Sequence, residues 1–471
     1  MQEIKEISNL LEQLFPICRS ITGNGVRQTL SILKEKTDFE ILEIPTGIKC
    51  YDWTIPKEWN VIDAYVKDSN GNKIIDFQKN NLHLKSYSVP INKVISFKEL
   101  NLHLETLPDM PDAIPYRTTY YKEDWGFCIS YNQYINLNKN SNYEVVINTS
   151  LKNGYLTYGE KKIKGKSKYE FLISTYCCHP SLANDNLSGI VLWILLLRWI
   201  KQKNRKHNYR FVIAPETIGA IAYLSKNESE MKKVLGGFIL TCVAGPRNIE
   251  YKKSFLGNHF LDEIVLKKFD EIGLDYKTHN FDINGSDERQ FSSPFYRIPI
   301  GTICKSKYYE YDNYHTSKDN LDYVKSSSLL EIFKIYTSII EEIESMDDFP
   351  TKKKLKANTN SSNQKFLSLM PFCEPMLSKR NLYPTNGGTI KQKQFDSKKE
   401  HKIKTYQKIN EKNITGEYLD IIKWIMFYSD GKFSLTEIAQ KINIPLEKLL
   451  LVANDLCEKK LLKIIDGGNG D

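Results

Sequence analysis

Short apolar runs and amphipathic segments alternate over residues 1–346 of the chain. Residues 171–176 form a continuous apolar run, which is typical of a strand buried in a parallel sheet. Residues 187–200 are apolar almost all round and predict a buried helix. Further strands are predicted at residues 209–214, 237–243 and 298–304, and further helices at residues 1–15, 26–36, 220–226, 259–272 and 329–343. The alternation predicts a doubly wound, mostly parallel α/β sheet over residues 1–59 and 149–346.

Two other regions predict separate domains. Residues 60–148 contain short strand-like runs, turns and many aromatic side chains, which predict an inserted β-rich domain. The tyrosines of this insert either form its core or line a substrate cleft. Residues 414–471 predict helix, short helix, turn, helix and strand, the layout of a winged helix. The run Ser434-Leu435-Thr436-Glu437 predicts a capping box at the start of its second helix.

The positive charge of the chain is concentrated in one segment. The net charge is +9, and residues 352–412 contain 15 Lys and Arg against 4 Asp and Glu. Residues 347–413 are therefore predicted to be a Lys-rich linker, and the folded parts carry little net charge. Residues 417–471 contain 7 Lys and 9 Asp and Glu. Because basic side chains dominate affinity for nucleic acid, we expect the winged helix to pack within the chain or to bind a protein partner or a second copy of the chain rather than DNA.

The remaining composition bears on the cellular compartment. Nine cysteines without a CxxC pair indicate reduced thiols and a cytoplasmic protein. The chain has no apolar run long enough to cross a membrane, so no membrane partner is expected. Residues 1–15 are typical of an acidic amphipathic helix rather than a secretory signal.

One loop carries two candidate metal-binding side chains. His179 follows the apolar run 171–176, and Asp185 precedes the helix predicted at residues 187–200. In an open α/β sheet, ligands bind at the carboxyl ends of the strands. Imidazole together with carboxylate is a ligand set that suits zinc. Taken alone, His179 would be an ordinary loop histidine and Asp185 a helix N-cap.

Glu216 and His315 extend this candidate set. Both follow predicted strands and would meet the first two side chains at one edge of the sheet. His179, Asp185 and His315 could bind zinc, and Glu216 could take a proton from a water that zinc activates. Glu216 could instead cap the helix it precedes, and His315 could be one polar residue of an aromatic loop. Spacing alone does not decide between these alternatives, because the chain has no HExxH signature.

The order of these motifs resembles that of the zinc aminopeptidase family, which includes bacterial leucyl aminopeptidases and glutamate carboxypeptidases. The matching positions are His179, Asn184-Asp185-Asn186-Leu187-Ser188-Gly189, Pro215-Glu216-Thr217-Ile218-Gly219, Ser286-Asp287 and His315-Thr316. A closer resemblance is to a bacterial group described as polysaccharide-biosynthesis proteins with an aminopeptidase-like domain, an inserted β module and a C-terminal winged helix. It covers most of the chain and rests on HPSLANDNLSG, GSDERQF, YHTSKDNLD and CEPMLSKRNLYPT.

The resemblance implies a role for each candidate residue. His179 is similar to a zinc ligand of the family, Asp185 to its bridging carboxylate, Glu216 to its general base and His315 to its last ligand. The implied protein is a zinc-dependent hydrolase that cleaves an amide or peptide bond of a small, polar or peptide-like substrate.

Two positions depart from the pattern of the family. Thr217 stands where a second glutamate is usual, and Cys242 lies in the stretch where an aspartate ligand is usual. With three ligands left, we expect one zinc ion with an open position rather than two ions. Asp287, Glu288 and Tyr308 are candidates for substrate binding, and Asp287 or Glu288 could also replace the missing carboxylate. The alternative function is a degenerate aminopeptidase-like scaffold that binds or regulates a partner through its winged helix.

Overall fold

The structure is a computed structural model and describes residues 2–120, 122–350, 364–383 and 416–465. Its helices are α1 (Gln2–Leu14), α2 (Asn24–Lys34), α3 (Phe97–Leu100), α4 (Tyr131–Ile135), α5 (Gly189–Ile200), α6 (Ile218–Lys226), α7 (Glu228–Met231), α8 (Phe260–Ile272), α9 (Glu288–Phe291), α10 (Ser326–Ser345), α11 (Gly416–Tyr428), α12 (Leu435–Ile442) and α13 (Leu446–Glu458). Its strands are β1 (Glu40–Pro45), β2 (Lys49–Cys50), β3 (Trp53–Thr54), β4 (Glu58–Lys67), β5 (Lys73–Asp76), β6 (Ile91–Ser96), β7 (Leu104–Glu105), β8 (Phe127–Cys128), β9 (Asn142–Lys152), β10 (Tyr155–Ile163), β11 (Glu170–Tyr176), β12 (Asn208–Ala214), β13 (Val234–Ile239), β14 (Ile249–Lys252), β15 (Tyr276–His279), β16 (Ile300–Lys305), β17 (Lys365–Ser368), β18 (Asp430–Ser434) and β19 (Leu462–Ile465).

An eight-stranded sheet forms the centre of the α/β domain, in the order β1-β10-β12-β11-β13-β16-β14-β15. The four central strands, β12, β11, β13 and β16, are parallel. β10 and β14 join them antiparallel on either side, and β1 pairs antiparallel with β10. The predicted α/β class is confirmed. The sheet is mixed because β10 and β14 run antiparallel to the four central strands.

Side chains of the central strands alternate between the two faces of this sheet. Phe171 and Ile173 of β11 belong to the core beneath α1, α5, α8 and α10. Leu172 belongs to the core on the other face, which includes α6 and the insert. Both faces of β11 are therefore covered, which explains its continuous apolar run.

The insert contains a four-stranded antiparallel sheet in the order β5-β4-β9-β6. β4 and β9 begin and end the insert, so that its sheet reaches from residue 58 to residue 152, slightly beyond the predicted bounds. One of the strand-like runs of the insert, residues 82–87, begins in a 3₁₀ turn at Asn81–His83. One loop of the insert crosses to the α/β domain, where Pro115 forms a β-bridge with Thr316.

The C-terminal helices α11, α12 and α13 pack with a three-stranded sheet in the order β18-β17-β19. Ser434 and Glu437 form the predicted capping box at α12. The middle strand, β17, comes from the segment predicted to be a linker. Four residues are too few to show a hydrophobic period, so this strand was not predicted. Other parts of the predicted linker, residues 351–363 and 384–413, lie outside the described residues.

All nine cysteines lie within the described residues and are free thiols. Within the same residues, no helix combines the length and the apolar composition that crossing a bilayer requires.

Candidate metal centre

Asp185 is held in place by the loop that follows β11. The loop turns irregularly between residues 183 and 188. The carboxylate of Asp319 accepts the backbone N–H groups of Asn184 at 2.6 Å and Asp185 at 3.0 Å. The hydroxyl of Tyr176, the last residue of β11, donates to Oδ1 of Asp185. The second oxygen of the Asp185 carboxylate therefore points in a fixed direction.

His315 lies in the loop after β16 and is fixed by the insert. The backbone N–H of Tyr116 donates to the carbonyl oxygen of His315 at 2.8 Å. The ring centroid of Tyr116 lies 5.2 Å from those of both His179 and His315. The insert thus packs one tyrosine against both candidate ligands.

The three predicted ligands converge. His315 Nε2 lies 3.0 Å and His179 Nε2 lies 4.0 Å from Oδ2 of Asp185. Ligand atoms of the three residues all lie within 4.8 Å of one another. Ligand atoms about 2.1 Å from a tetrahedral zinc ion are about 3.4 Å apart, so shifts of about 1 Å would bring the set onto one ion.

Two of these ligand atoms face each other and have no other partner. Asp185 Oδ2 and His315 Nε2 are buried and 3.0 Å apart, and neither meets the geometry of a hydrogen bond to a described residue. Buried polar atoms are normally paired, and an unpaired one calls for an explanation such as an ion. The donor set and these two atoms therefore fit a zinc ion.

The charges of the site also suit a cation. Burial lowers the pKa of His179 to about 4, so that its imidazole is neutral at pH 7. Burial disfavours the charged form of Asp185, but His179 and His315 outweigh this effect and lower its pKa. A neutral imidazole and an ionised carboxylate are the forms that bind metals.

Glu216 lies beside this set, and Oε2 of its carboxyl is 3.9 Å from His179 Nε2. Burial raises the pKa of Glu216 well above its ordinary value, with Asp287 and Asp185 adding to the effect. Burial also raises the pKa of Asp287 to about 7. Asp287 accepts the backbone N–H of Thr217 at 2.7 Å and so anchors the turn that presents Glu216.

Neither departure from the family pattern adds a ligand at this edge, where the described residues offer two overlapping sets of three possible ligands: His179, Asp185 and His315, and Cys178, His179 and Glu216. Thr217 uses its backbone N–H for Asp287, and its hydroxyl accepts from Arg289 at 3.3 Å. Cys242 is buried, and burial raises its pKa well above the ordinary value for a thiol. Cys242 belongs to none of the potential ligand clusters found among the described residues.

Glu288 and Tyr308, which the sequence predicts to bind substrate, do not line the cavity beside the ligands. The Tyr308 hydroxyl donates to Glu288 Oε1 at 2.8 Å, the Thr302 hydroxyl donates to the same oxygen at 2.8 Å, and Lys252 Nζ lies 3.6 Å from it. Neither residue lines the cavity beside the ligands, whereas Tyr309 does. These two side chains therefore form a buried polar cluster outside the wall of the cavity.

A cavity of about 140 Å³ opens beside the ligands, with His179, Glu216 and His315 on its wall. The insert contributes Tyr116, Thr118 and Tyr120. Both alternatives for the aromatic side chains of the insert therefore apply. Tyr116 and Tyr120 line the cavity, whereas Trp125, Phe127 and Tyr143 lie in a core.

The cavity also has a wall from the C-terminal part of the chain. Residues 371–383, here called the strap, run from β17 to the cavity, where Met376 and Tyr383 line it. Glu374 forms an ion pair with Arg289 at 2.7 Å, and its carbonyl oxygen accepts from the Trp53 indole at 2.8 Å. Asp52 accepts from the backbone N–H of Met376 at 2.8 Å. The strap therefore ties the winged helix to the candidate site.

A third cluster of possible ligands, Glu250, His279 and Glu310, lies elsewhere in the α/β domain. His279 faces Glu250 through Nε2 at 2.6 Å and Glu310 through Nδ1 at 4.0 Å. Lys307 also pairs with Glu310 at 2.7 Å, so both carboxylates of this cluster already have a partner in the chain.

Replacing Asp319 by alanine is expected to loosen the ligand loop. The change leaves the N–H groups of Asn184 and Asp185 buried without an acceptor, which costs about 1–3 kcal/mol. We expect a matching fall in the free energy of unfolding of the zinc-free protein, together with weaker zinc binding. Asp322→Ala, an exposed aspartate three residues on, is the control. Equal effects of the two variants in denaturant titrations would contradict the role given to Asp319.

Comparison with known proteins connects this geometry to a family. A family model described as "Domain of unknown function (DUF4910)" matches residues 8–346, which contain all the candidate ligands. The chain belongs to the DUF4910 family. A second model, described as "winged helix-turn-helix", matches residues 404–464.

Relatives of this DUF4910 chain match it along its whole length. A protein of Clostridium acetobutylicum is 42% identical over 460 residues, covering 98% of this chain and 96% of that protein. It is named "Putative polysaccharide biosynthesis protein with aminopeptidase-like domain". A crystal structure of a "putative peptidase" from Clostridium acetobutylicum is 40% identical with a TM-score of 0.71, covering 98% of this chain and 97% of that one. The predicted resemblance is confirmed.

The fold of the DUF4910 domain is also that of a known zinc enzyme. BSAP, a zinc aminopeptidase from Bacillus subtilis, superposes with a TM-score of 0.53, covering 75% of this chain and 96% of that one. The two sequences are 15% identical, so this likeness concerns the fold. The aminopeptidase-like scaffold predicted from the sequence is confirmed.

Sequence reasoning missed Asp319 and the strap as parts of the site. Asp319 lies within YHTSKDNLD, and the strap contains most of CEPMLSKRNLYPT. Both stretches carry the resemblance to the family, and this resemblance is the signal that could have pointed to them. Their roles depend on which loops meet in space, and sequence spacing does not show this.

Proposed function

We propose that the chain is a zinc-dependent hydrolase that cleaves an amide or peptide bond of a small polar substrate. One zinc ion would be held by His179, Asp185 and His315. The observation that carries this proposal is the convergence of three buried ligand atoms: His315 Nε2 and His179 Nε2 lie 3.0 and 4.0 Å from Asp185 Oδ2.

Zinc, when bound, supplies a Lewis acid that polarises a carbonyl group and lowers the pKa of water toward about 7. Glu216 lies on the cavity wall next to the ligands and is placed to accept the proton of the attacking water. The same carboxyl group would pass this proton to the leaving nitrogen. Tyr116 and Tyr120 cover the ligands and restrict the access of bulk water.

The cavity favours a substrate that is polar but carries little charge. The polar residues Thr118, Tyr120 and Tyr309 line its wall. The guanidinium group of Arg289, also on the wall, already pairs with Glu374. The name of the Clostridium acetobutylicum relative supports a substrate from polysaccharide biosynthesis. An N-acyl sugar, an aminoacyl conjugate and a short peptide are the substrate classes to test.

The second candidate function is a binding or regulatory protein on a degenerate scaffold. Thr217 and Cys242, at positions where the zinc aminopeptidase pattern has carboxylates, favour this alternative. In either case we propose that the winged helix serves a protein partner or a second copy of the chain rather than DNA. The nine free thiols fit a reducing compartment, and we propose a cytoplasmic protein.

The direct test measures zinc and turnover together. The protein is purified with zinc, its metal content is determined, and hydrolysis is followed on aminoacyl-4-nitroanilides and N-acetyl amino sugars. One zinc ion per chain with hydrolysis of either class supports the enzyme. A folded protein that takes up no zinc supports the degenerate scaffold.

The carboxyl group of Glu216 is expected to titrate above pH 4.5 in the zinc-free protein, because burial raises its pKa well above that ordinary value. The charge of a bound zinc ion would lower this pKa. Carbon NMR of the side-chain carboxyl groups, with Glu216 assigned by its loss in Glu216→Gln, measures the pKa with and without zinc. A pKa at or below 4.5 in the zinc-free protein would contradict this prediction.

A further inference from the structure

Cys178 lies between the proposed ligand His179 and the proposed base Glu216. Its sulfur is 3.6 Å from Nδ1 of His179 and accepts the backbone N–H of Glu216 at 3.2 Å. The Cys178 side chain is buried and reaches the wall of the cavity. One thiol thus contacts both the ligand and the segment that carries the base.

This contact matters because of the two nitrogens of the His179 ring. A histidine that binds a metal through Nε2 carries its proton on Nδ1, and the acceptor of that proton fixes the tautomer and the direction of the ring. The usual acceptor is a carboxylate, a backbone carbonyl or a water molecule. Among the described residues, the contact with Cys178 is the one hydrogen bond of the His179 ring.

The neighbouring residue, Cys177, provides an internal comparison. Successive side chains at the end of a strand point to opposite faces of the sheet. Cys177 is equally buried but belongs to the core beneath α5, whereas Cys178 belongs to the core on the side of α6. Cys177 does not line the cavity. The two thiols therefore match in type and burial and differ in what they contact.

We propose that Cys178 is a positioning residue of the metal centre. Its sulfur accepts the Nδ1–H of His179 and so aims Nε2 at the ion. By accepting the N–H of Glu216, the same sulfur sets the distance between the base and the ligand. This role rests on the proposed function, because it requires that His179 binds zinc.

The test compares Cys178→Ala, Cys178→Ser and Cys177→Ala in the full chain. Zinc affinity is measured by competition with a chromogenic chelator. We expect Cys178→Ala to bind zinc about 10–100-fold more weakly, as when the outer partner of a metal ligand is removed. Cys178→Ser keeps an acceptor and should restore most of the affinity. Cys177→Ala should bind like the unmodified chain. If Cys178→Ala does not fold, Cys178→Val fills the volume without an acceptor and is expected to lose the same affinity.

A second readout needs no metal. Nitrogen NMR of the zinc-free, ¹⁵N-histidine-labelled protein, with His179 assigned by its loss in His179→Ala, reports which ring nitrogen carries the proton. The Nδ1–H tautomer should dominate in the unmodified chain and in Cys177→Ala and decline in Cys178→Ala. Unchanged tautomer and affinity in Cys178→Ala, in a chain that binds zinc, would overturn the positioning role and leave the proposed function standing. An unmodified chain that takes up no zinc would overturn both.

Discussion

Replacing His315 by alanine is expected to abolish stoichiometric zinc binding. Nε2 of His315 is buried, lies 3.0 Å from Asp185 Oδ2 and has no hydrogen-bond partner among the described residues. The change leaves one imidazole and one carboxylate, too few for a stable four-coordinate site. The loss in zinc affinity should exceed the roughly 10–100-fold that follows from removing an outer partner of a ligand. Metal analysis after dialysis and chelator competition measure it.

The matched control for His315 is His279→Ala. His279 also lies next to carboxylates, in the cluster with Glu250 and Glu310. Because both carboxylates of that cluster already have partners in the chain, its loss should leave zinc binding unchanged. Zinc retained in His315→Ala, or lost in His279→Ala, would show that the ion is held elsewhere.

Glu216→Gln is expected to lower kcat by about 10²–10⁴-fold, the usual contribution of a general acid–base group. Glutamine matches the shape of the side chain but cannot accept the proton of the attacking water. Glu216 is not among the proposed ligands, so zinc content should be that of the unmodified chain. Steady-state kinetics on whichever substrate class is hydrolysed, together with metal analysis, measures both quantities.

The control for this change is Glu228→Gln, at the first residue of α7. Glu228 lies beyond the helix that follows Glu216 and does not line the cavity. Its removal should leave kcat unchanged. If Glu216→Gln keeps its turnover with its zinc in place, Glu216 is not the base.

The strand, loop and helix around His179 could be predicted because their signal is local. β11 is continuously apolar because both of its faces are covered, and α5 is apolar all round for the same reason. These features place His179 and Asp185 at the carboxyl edge of a sheet. Glu216 and His315 join them there because of the order of the strands in the sheet. The resemblance to zinc aminopeptidases, rather than a local pattern, supported that prediction.

Contacts between distant segments could not be read from the sequence. Asp319 supports the loop of Asp185, and Tyr116 reaches His315 from another domain. The strap reaches the cavity from the C-terminal region. Glu288 shows the converse, because its motif is next to the site but its side chain turns toward Lys252. Such contacts depend on tertiary packing, which the hydrophobic periodicity of a segment does not reveal.

The central claim is that His179, Asp185 and His315 hold one zinc ion. Anomalous diffraction at the zinc edge, from crystals of the full chain grown with zinc, tests it most directly. We predict a single peak at this edge of the sheet, about 2.0–2.2 Å from one atom of each of the three residues. A peak beside Glu250 and His279 instead, or a fully ordered site with no anomalous peak, would contradict the account.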